Sequence, residues 1–108
     1  MSRYCLDTSA YSHFQRGDGD ATALIDGAEW LGMPAIVLGE LRAGFLLGVW
    51  RQRNEGSLRE FLANPVVEVL SVEGEVSRHY ADIVVDLRRA GTPIPTNDIW
   101  IAATAARA

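Results

Sequence analysis

Three short apolar runs alternate with longer stretches of helical pattern, and this alternation restricts the fold more than any other feature of the chain. Tyr4 to Asp7, Met33 to Val37 and Val66 to Val72 read as strands, the second with Pro34 near its start. Helices are expected over Ser9 to Arg16, Ala21 to Glu29, Glu40 to Leu47 and Ser57 to Leu62. The strongest helical signal runs from Gly74 to Ala90, where Val76, Tyr80, Ile83, Val84 and Leu87 make one apolar face and Gly91 supplies the stop. Thr92-Pro93-Ile94-Pro95 reads as a rigid connector. Thr96, Asn97 and Asp98 are expected to cap a last helix, Ile99 to Arg107, apolar nearly all round and therefore buried. Strands separated by helices cannot pair as hairpins, so the expected class is α/β, with helices packed on a parallel sheet.

With 108 residues, 48% of them hydrophobic, the chain is sized for one domain with a real core. No run of apolar residues is long enough to span a membrane, and the N-terminus lacks the pattern of a secretion signal. The single cysteine, Cys5, lies in the apolar opening and is expected to be a buried reduced thiol in a cytoplasmic protein. The net charge of −4 argues against nucleic-acid binding by bulk charge. All ten basic residues are arginine, so every mechanism that needs a lysine is excluded. One cysteine excludes a Cys/His zinc pattern, and glycine-rich phosphate loops are missing. His13 and His79 lack ligand spacing and read as surface or partly buried residues, and Trp30, Trp50 and Trp100 read as core or interface.

The chemistry is carried by acids at the ends of elements. Asp7 ends the first strand, Glu40 follows the second and opens a helix, and Asp98 opens the last helix. In open parallel sheets, sites gather beyond the carboxyl ends of the strands. Three carboxylates converging there repel one another unless a cation lies between them, and oxygen ligands select a hard one, Mg²⁺ or Mn²⁺. Helix N-termini beneath Glu40 and Asp98 are expected to favour the same charge. Each acid alone also has a structural reading: Asp7 as a helix cap, Asp98 as a first-turn acid, Glu40 as a solvent-facing or arginine-paired residue.

YCLDTSA at the start, GELRAG around Glu40 and TNDIWIAATA around Asp98 together resemble PIN domains, and within them the VapC-type ribonuclease toxins of bacterial toxin–antitoxin pairs. The resemblance covers the whole chain, and the Asp98 segment is its most specific part. It implies a three-layer α/β/α domain and a Mg²⁺- or Mn²⁺-dependent endoribonuclease, with Asp7, Glu40 and Asp98 as catalytic and metal-binding acids. It also implies a cognate antitoxin that covers the active-site edge, and a homodimer. Ser9 or Thr8 is the expected hydroxyl beside the acids, with Thr96 and Asn97 as further supporting residues. The family pattern continues past Ala108 with another strand and a fourth acid. The chain is therefore expected to be a fragment or an unusually short domain, with exposed surface near its C-terminus.

Residues and resemblance agree on phosphodiester hydrolysis, in which a metal-activated water leaves 5′-phosphate and 3′-hydroxyl ends. Arg42 is the first candidate to grip the RNA, ahead of Arg16, Arg51 and Arg53. Receiver domains need a lysine, and aspartyl-phosphate enzymes want Asp-x-Asp where this chain has Asp7-Thr8-Ser9. The remaining rival is a non-catalytic module of the same fold that binds a protein partner.

Overall fold

The computed structural model describes residues 2–108. The elements follow in the order β1 (Arg3–Cys5), α1 (Thr8–Gln15), α2 (Gly19–Asp26), β2 (Trp30–Pro34), α3 (Ala35–Leu47), α4 (Arg51–Leu62), β3 (Val67–Leu70), α5 (Gly74–Ala90) and α6 (Thr96–Arg107). The strands form one sheet in the order β1-β2-β3. Both pairings are parallel, with Tyr4 opposite Leu31 and Met33 opposite Val69. The α/β reading from sequence is what the chain adopts.

Side chains alternate across a strand, so Leu31 and Met33 face one side of the sheet and Trp30 and Gly32 the other. On the first side, Leu31 and Met33 join Leu6, Tyr11, Ile25, Val37, Leu38, Leu41, Leu58 and Phe61 in the main core. Tyr11, Phe14 and Phe61 form an aromatic trio there, with centroid separations of 5.2 to 6.5 Å. The other side is closed by α6, whose Ile99, Ala103 and Thr104 are buried. α5 lies against α6, and Tyr80 stacks on Trp100 with centroids 3.8 Å apart. Gly32 has no room for a side chain, because a Cβ there would meet the Trp30 ring at 2.5 Å and Leu70 Cδ1 at 2.8 Å.

Three sequence expectations need correction. Of the run Met33 to Val37, only Met33 and Pro34 are strand. β2 ends at Pro34, and Ala35 begins α3, five residues before Glu40. A short apolar run cannot distinguish strand from buried helix. The helical spacing of Val37, Leu38 and Leu41, all buried, decides it. α4 begins at Arg51 and not Ser57, so the polar stretch Arg51 to Gly56 is its solvated first half. Cys5 is exposed, because β1 is an edge strand and its three residues all face solvent. α5 spans the expected residues and ends in a left-handed Gly91 at φ 69°.

Four strongly exposed apolar residues cluster at the tip of the α3–α4 hairpin. Leu46, Leu47, Val49 and Trp50 are 63%, 90%, 86% and 62% exposed. Among the described residues, no helix is long and apolar enough to cross a membrane.

Candidate active site

The last bond that ties the first strand to the sheet runs from the Leu6 amide to the Gly32 carbonyl, at 2.9 Å. Asp7 follows at once, at the carboxyl end of the sheet. It has extended backbone and caps α1, its Oδ1 accepting from the Ala10 amide at 2.8 Å. One carboxylate oxygen thus orders the turn, and the other is left to face outward.

Glu40 is reached from both sides. Thr8 Oγ1 donates to Glu40 Oε1 at 2.6 Å, and Asn97 Nδ2 donates to Glu40 Oε2 at 3.4 Å. Thr8 is the neighbour of Asp7, and Asn97 the neighbour of Asp98. Asp98 lies in the first turn of α6, where the free amides favour a negative charge. Asp7 and Asp98 line one recess of about 230 Å³, together with Cys5, Leu6, Ile101, Ala102 and Ala105. Asp7 and Asp98 therefore share one recess, and Glu40 is hydrogen-bonded to the residues beside them.

The supporting residues sort differently. Thr8, not Ser9, makes the hydroxyl contact, because the first turn of α1 aims Thr8 at α3. Ser9 is exposed. Pro95 occupies the cap position of α6 and no side chain caps that helix, so Thr96 and Asn97 are not caps and Asn97 is free to reach Glu40. Glu40 lies beyond the first turn of α3, so the expected help from that helix N-terminus is absent. Arg42 is not brought to the acids. Two residues along a helix is more than half a turn, and Arg42 instead holds Glu55 of α4, Nε to Oε1 at 2.9 Å. Larger recesses of about 320 and 420 Å³ lie elsewhere, and neither contains Asp7, Glu40 or Asp98.

The donor set is all oxygen. Although Cys5 is exposed, partial desolvation of its thiol raises its pKa, opposed by the nearby Arg3 guanidinium, which disfavours the thiolate. Among the described residues, no three His, Cys, Asp or Glu side chains come together closely enough to hold a metal ion. A pair of carboxylates is nevertheless what Mg²⁺ commonly takes from a protein, the rest of its octahedron being water and substrate phosphate. Asp7 and Asp98 on one recess fit that demand.

Residues 4–108 match the PIN domain family. The chain belongs to the PIN-domain family. Ribonuclease VapC4 of Mycobacterium tuberculosis is 36% identical over 107 residues, which cover 97% of this chain and 79% of that protein. VapBC-5 from Mycobacterium tuberculosis, a member of the VapBC family of toxin–antitoxin systems, superposes with a TM-score of 0.73 at 28% identity, covering 98% of this chain and 79% of that one. VapBC2 from Rickettsia felis, bound to a DNA fragment from its promoter, gives a TM-score of 0.83 at 21% identity over 95% and 79% of the two chains, and shares the fold. This PIN domain is of the VapC type.

Proposed function

We propose that this PIN domain is the toxin of a type II toxin–antitoxin pair and acts as a metal-dependent endoribonuclease. The observation that carries the proposal is the joining of Glu40 to the immediate neighbours of both Asp7 and Asp98. Those bonds cross 32 and 57 residues of sequence and tie Glu40 to the segments that carry Asp7 and Asp98, which supports a site at the sheet edge where parallel folds place chemistry. The naming of the relative VapC4 as a ribonuclease supports the same reading.

Asp7 and Asp98 would hold Mg²⁺ or Mn²⁺, which supplies a lowered water pKa and a counter-charge for phosphate when bound. Asp7 is fixed for this role by its bond to the Ala10 amide, and Asp98 by its place in the first turn of α6. Glu40 keeps the two segments in register through Thr8 and Asn97. Water attack in place of the ribose 2′-hydroxyl gives 5′-phosphate and 3′-hydroxyl products. The test is RNA cleavage with Mn²⁺, with and without EDTA, beside Asp7→Asn. Cleavage that needs both the metal and Asp7 supports the enzyme, and cleavage that survives either loss removes it.

The cognate antitoxin is the partner in this reading, with a second copy of the chain completing a homodimer. The exposed Leu46, Leu47, Val49 and Trp50 are of the kind that marks a protein interface. Arg51 and Arg53 lie beside Val49 and Trp50, and Arg51 and Arg59 line a recess with Leu46, so this patch suits an acidic, apolar segment. The same patch, with no three-acid cluster among the described residues, favours a second reading as a non-catalytic binding module. Mn²⁺ titration separates the two, because a binding module has no site that depends on Asp7.

A further inference from the structure

We propose that the open edge of β3 is a docking site for an extended, basic segment of a protein partner. The segment adds to the sheet as a further strand and sends a basic side chain into the cavity beside Glu68 and Glu73. None of Asp7, Glu40, Asp98 and Trp50 lines that cavity, so the proposal stands apart from the acids and from the hairpin tip.

The main chain of β3 can be assigned group by group. The strand order leaves β3 on one edge of the sheet. Leu31 stands opposite Val67, and its amide donates to the Val66 carbonyl at 2.9 Å. In a parallel ladder the following bonds of β2 then go to Glu68 and Leu70. Val66, Glu68 and Leu70 therefore turn their main chain toward β2, and Val67, Val69 and Ser71 turn theirs away. The Val67 amide agrees, since it donates to the Asn64 carbonyl at 3.0 Å and not to β2. The groups left open form a row: the Val67 carbonyl, the Val69 amide and carbonyl, and the Ser71 amide. None of them has a hydrogen-bond partner among the described residues. Acceptors and donors in such a row are what an incoming strand pairs with.

The side chains select the partner. Val69 and Val72 are 44% and 46% exposed and offer apolar contact along the edge. Glu68 and Leu70 face the α6 side of the sheet, as their neighbours Gly32 and Pro34 do. There they border a cavity of about 320 Å³ whose wall includes Trp30 and Thr104. Glu68 and Glu73 come from β3 and the turn after it, and among the described residues neither carboxylate has an ion-pair partner. Arg3 also lines the cavity, but it belongs to the opposite edge strand and is held over the Trp30 ring at 4.3 Å. A side chain from a strand added to β3 enters past the two carboxylates, and arginine or lysine suits that position. From Val66 to Val72 there is no proline, lysine or arginine to guard the edge, and Glu68 is the one charge. That charge also disfavours a second copy of this chain. Antiparallel pairing of two copies about Val69 sets the two Glu68 carboxylates diagonally across from each other, whereas a basic strand turns the same charge into attraction.

The test uses the full ¹⁵N-labelled chain and short synthetic peptides of alternating threonine and valine, with arginine or glutamate at the centre. The arginine peptide is expected to shift the Val69 and Ser71 amide resonances and to slow their hydrogen exchange. The glutamate peptide is expected to bind about fivefold more weakly or worse, the scale of a cross-strand charge pair reversed. Glu68→Arg should reverse that preference. Val69→Pro should remove binding and keep the fold, because proline is tolerated where an edge amide faces outward. Peptides N-methylated at alternate amides ask the same question of the unaltered chain: one set of positions should abolish binding and the other set should spare it. Val69 and Ser71 amides that stay unmoved at millimolar arginine peptide overturn the proposal. So does equal binding by both N-methylated sets, or by a folded Val69→Pro. A concentration-dependent dimer in sedimentation that Val69→Pro takes apart overturns the choice of partner, because the edge would then serve a second copy.

Discussion

Arg42 of α3 grips Glu55 of α4 with two guanidinium nitrogens, 2.9 and 3.4 Å from the two carboxylate oxygens. The pair clips the hairpin together below its exposed apolar tip. A paired guanidinium is less available to a phosphate than a free one. Arg42→Ala is therefore expected to lower stability by ~0.2–1 kcal/mol, the range for exposed ion pairs, and to leave the salt dependence of RNA binding unchanged. Denaturant unfolding and a salt titration of RNA binding check both parts. A salt slope that falls by about one unit would place Arg42 on the phosphate backbone.

Asp7 has a structural duty and a chemical one, and the two can be separated. Asparagine caps a helix as well as aspartate does but is neutral, so Asp7→Asn is expected to keep stability while losing Mn²⁺ binding. Asp7→Ala is expected to lose the metal and also ~1 kcal/mol of stability from the uncapped Ala10 amide. Thermal unfolding of the two variants without metal distinguishes them.

Tyr11 is 2% exposed and its hydroxyl is buried without a hydrogen-bond partner. Burial pushes its pKa up from 10.0 to about 12, with the Glu55 carboxylate adding to the effect. A raised pKa means the folded state resists ionisation, so this contribution is whole below pH 10 and is lost as the pH climbs through 12. Tyr11→Phe should flatten the alkaline arm of the stability curve between those values. At neutral pH it should be neutral or stabilising by ~1 kcal/mol, because an unsatisfied buried hydroxyl is removed. Urea unfolding at several pH values gives the answer.

Gly32→Ala pushes a methyl group into the Trp30 ring and Leu70 at the centre of the sheet. The expected cost is ~1–3 kcal/mol, the usual penalty for overpacking a filled core. A shift of the denaturant midpoint with an unchanged slope is the signature to look for.

Trp50 is the large exposed aromatic of the hairpin tip, and in the proposed reading it is the anchor for the antitoxin. Trp50→Ala is expected to weaken that complex by at least ~2 kcal/mol and to leave Mn²⁺ binding intact. Calorimetry against the cognate antitoxin measures the first effect and metal titration the second.

The parts of the chain that were legible are those set by local rules. α5 carries a long apolar stripe and a left-handed glycine stop, and its bounds are those the pattern predicts. Asp7 and Asp98 were legible as acids at element ends and line one recess, whereas Glu40, expected to open a helix, lies in the second turn of α3 and is joined to their neighbours Thr8 and Asn97. The run Ala35 to Val37 was misread because an apolar triplet is compatible with a strand or a buried helix, and Leu38, Leu41 and Phe45 held the missing helical spacing. The choice of Thr8 over Ser9 was hidden, because it depends on which way the first turn of α1 faces α3. The pairing of Arg42 with Glu55 was hidden for the same kind of reason, since it needs the packing of α3 on α4. The exposure of Cys5 follows from sheet order, which an apolar opening run does not state.

The Thr8–Glu40–Asn97 bridge also sets an order of assembly. Its two bonds close loops of 32 and 57 residues, and loops of that length close late, after local helices have formed. On a ribosome, α1 and α3 emerge before α6 exists, so the Asn97 contact is the later of the two to form and the edge is assembled only when α6 packs against the sheet.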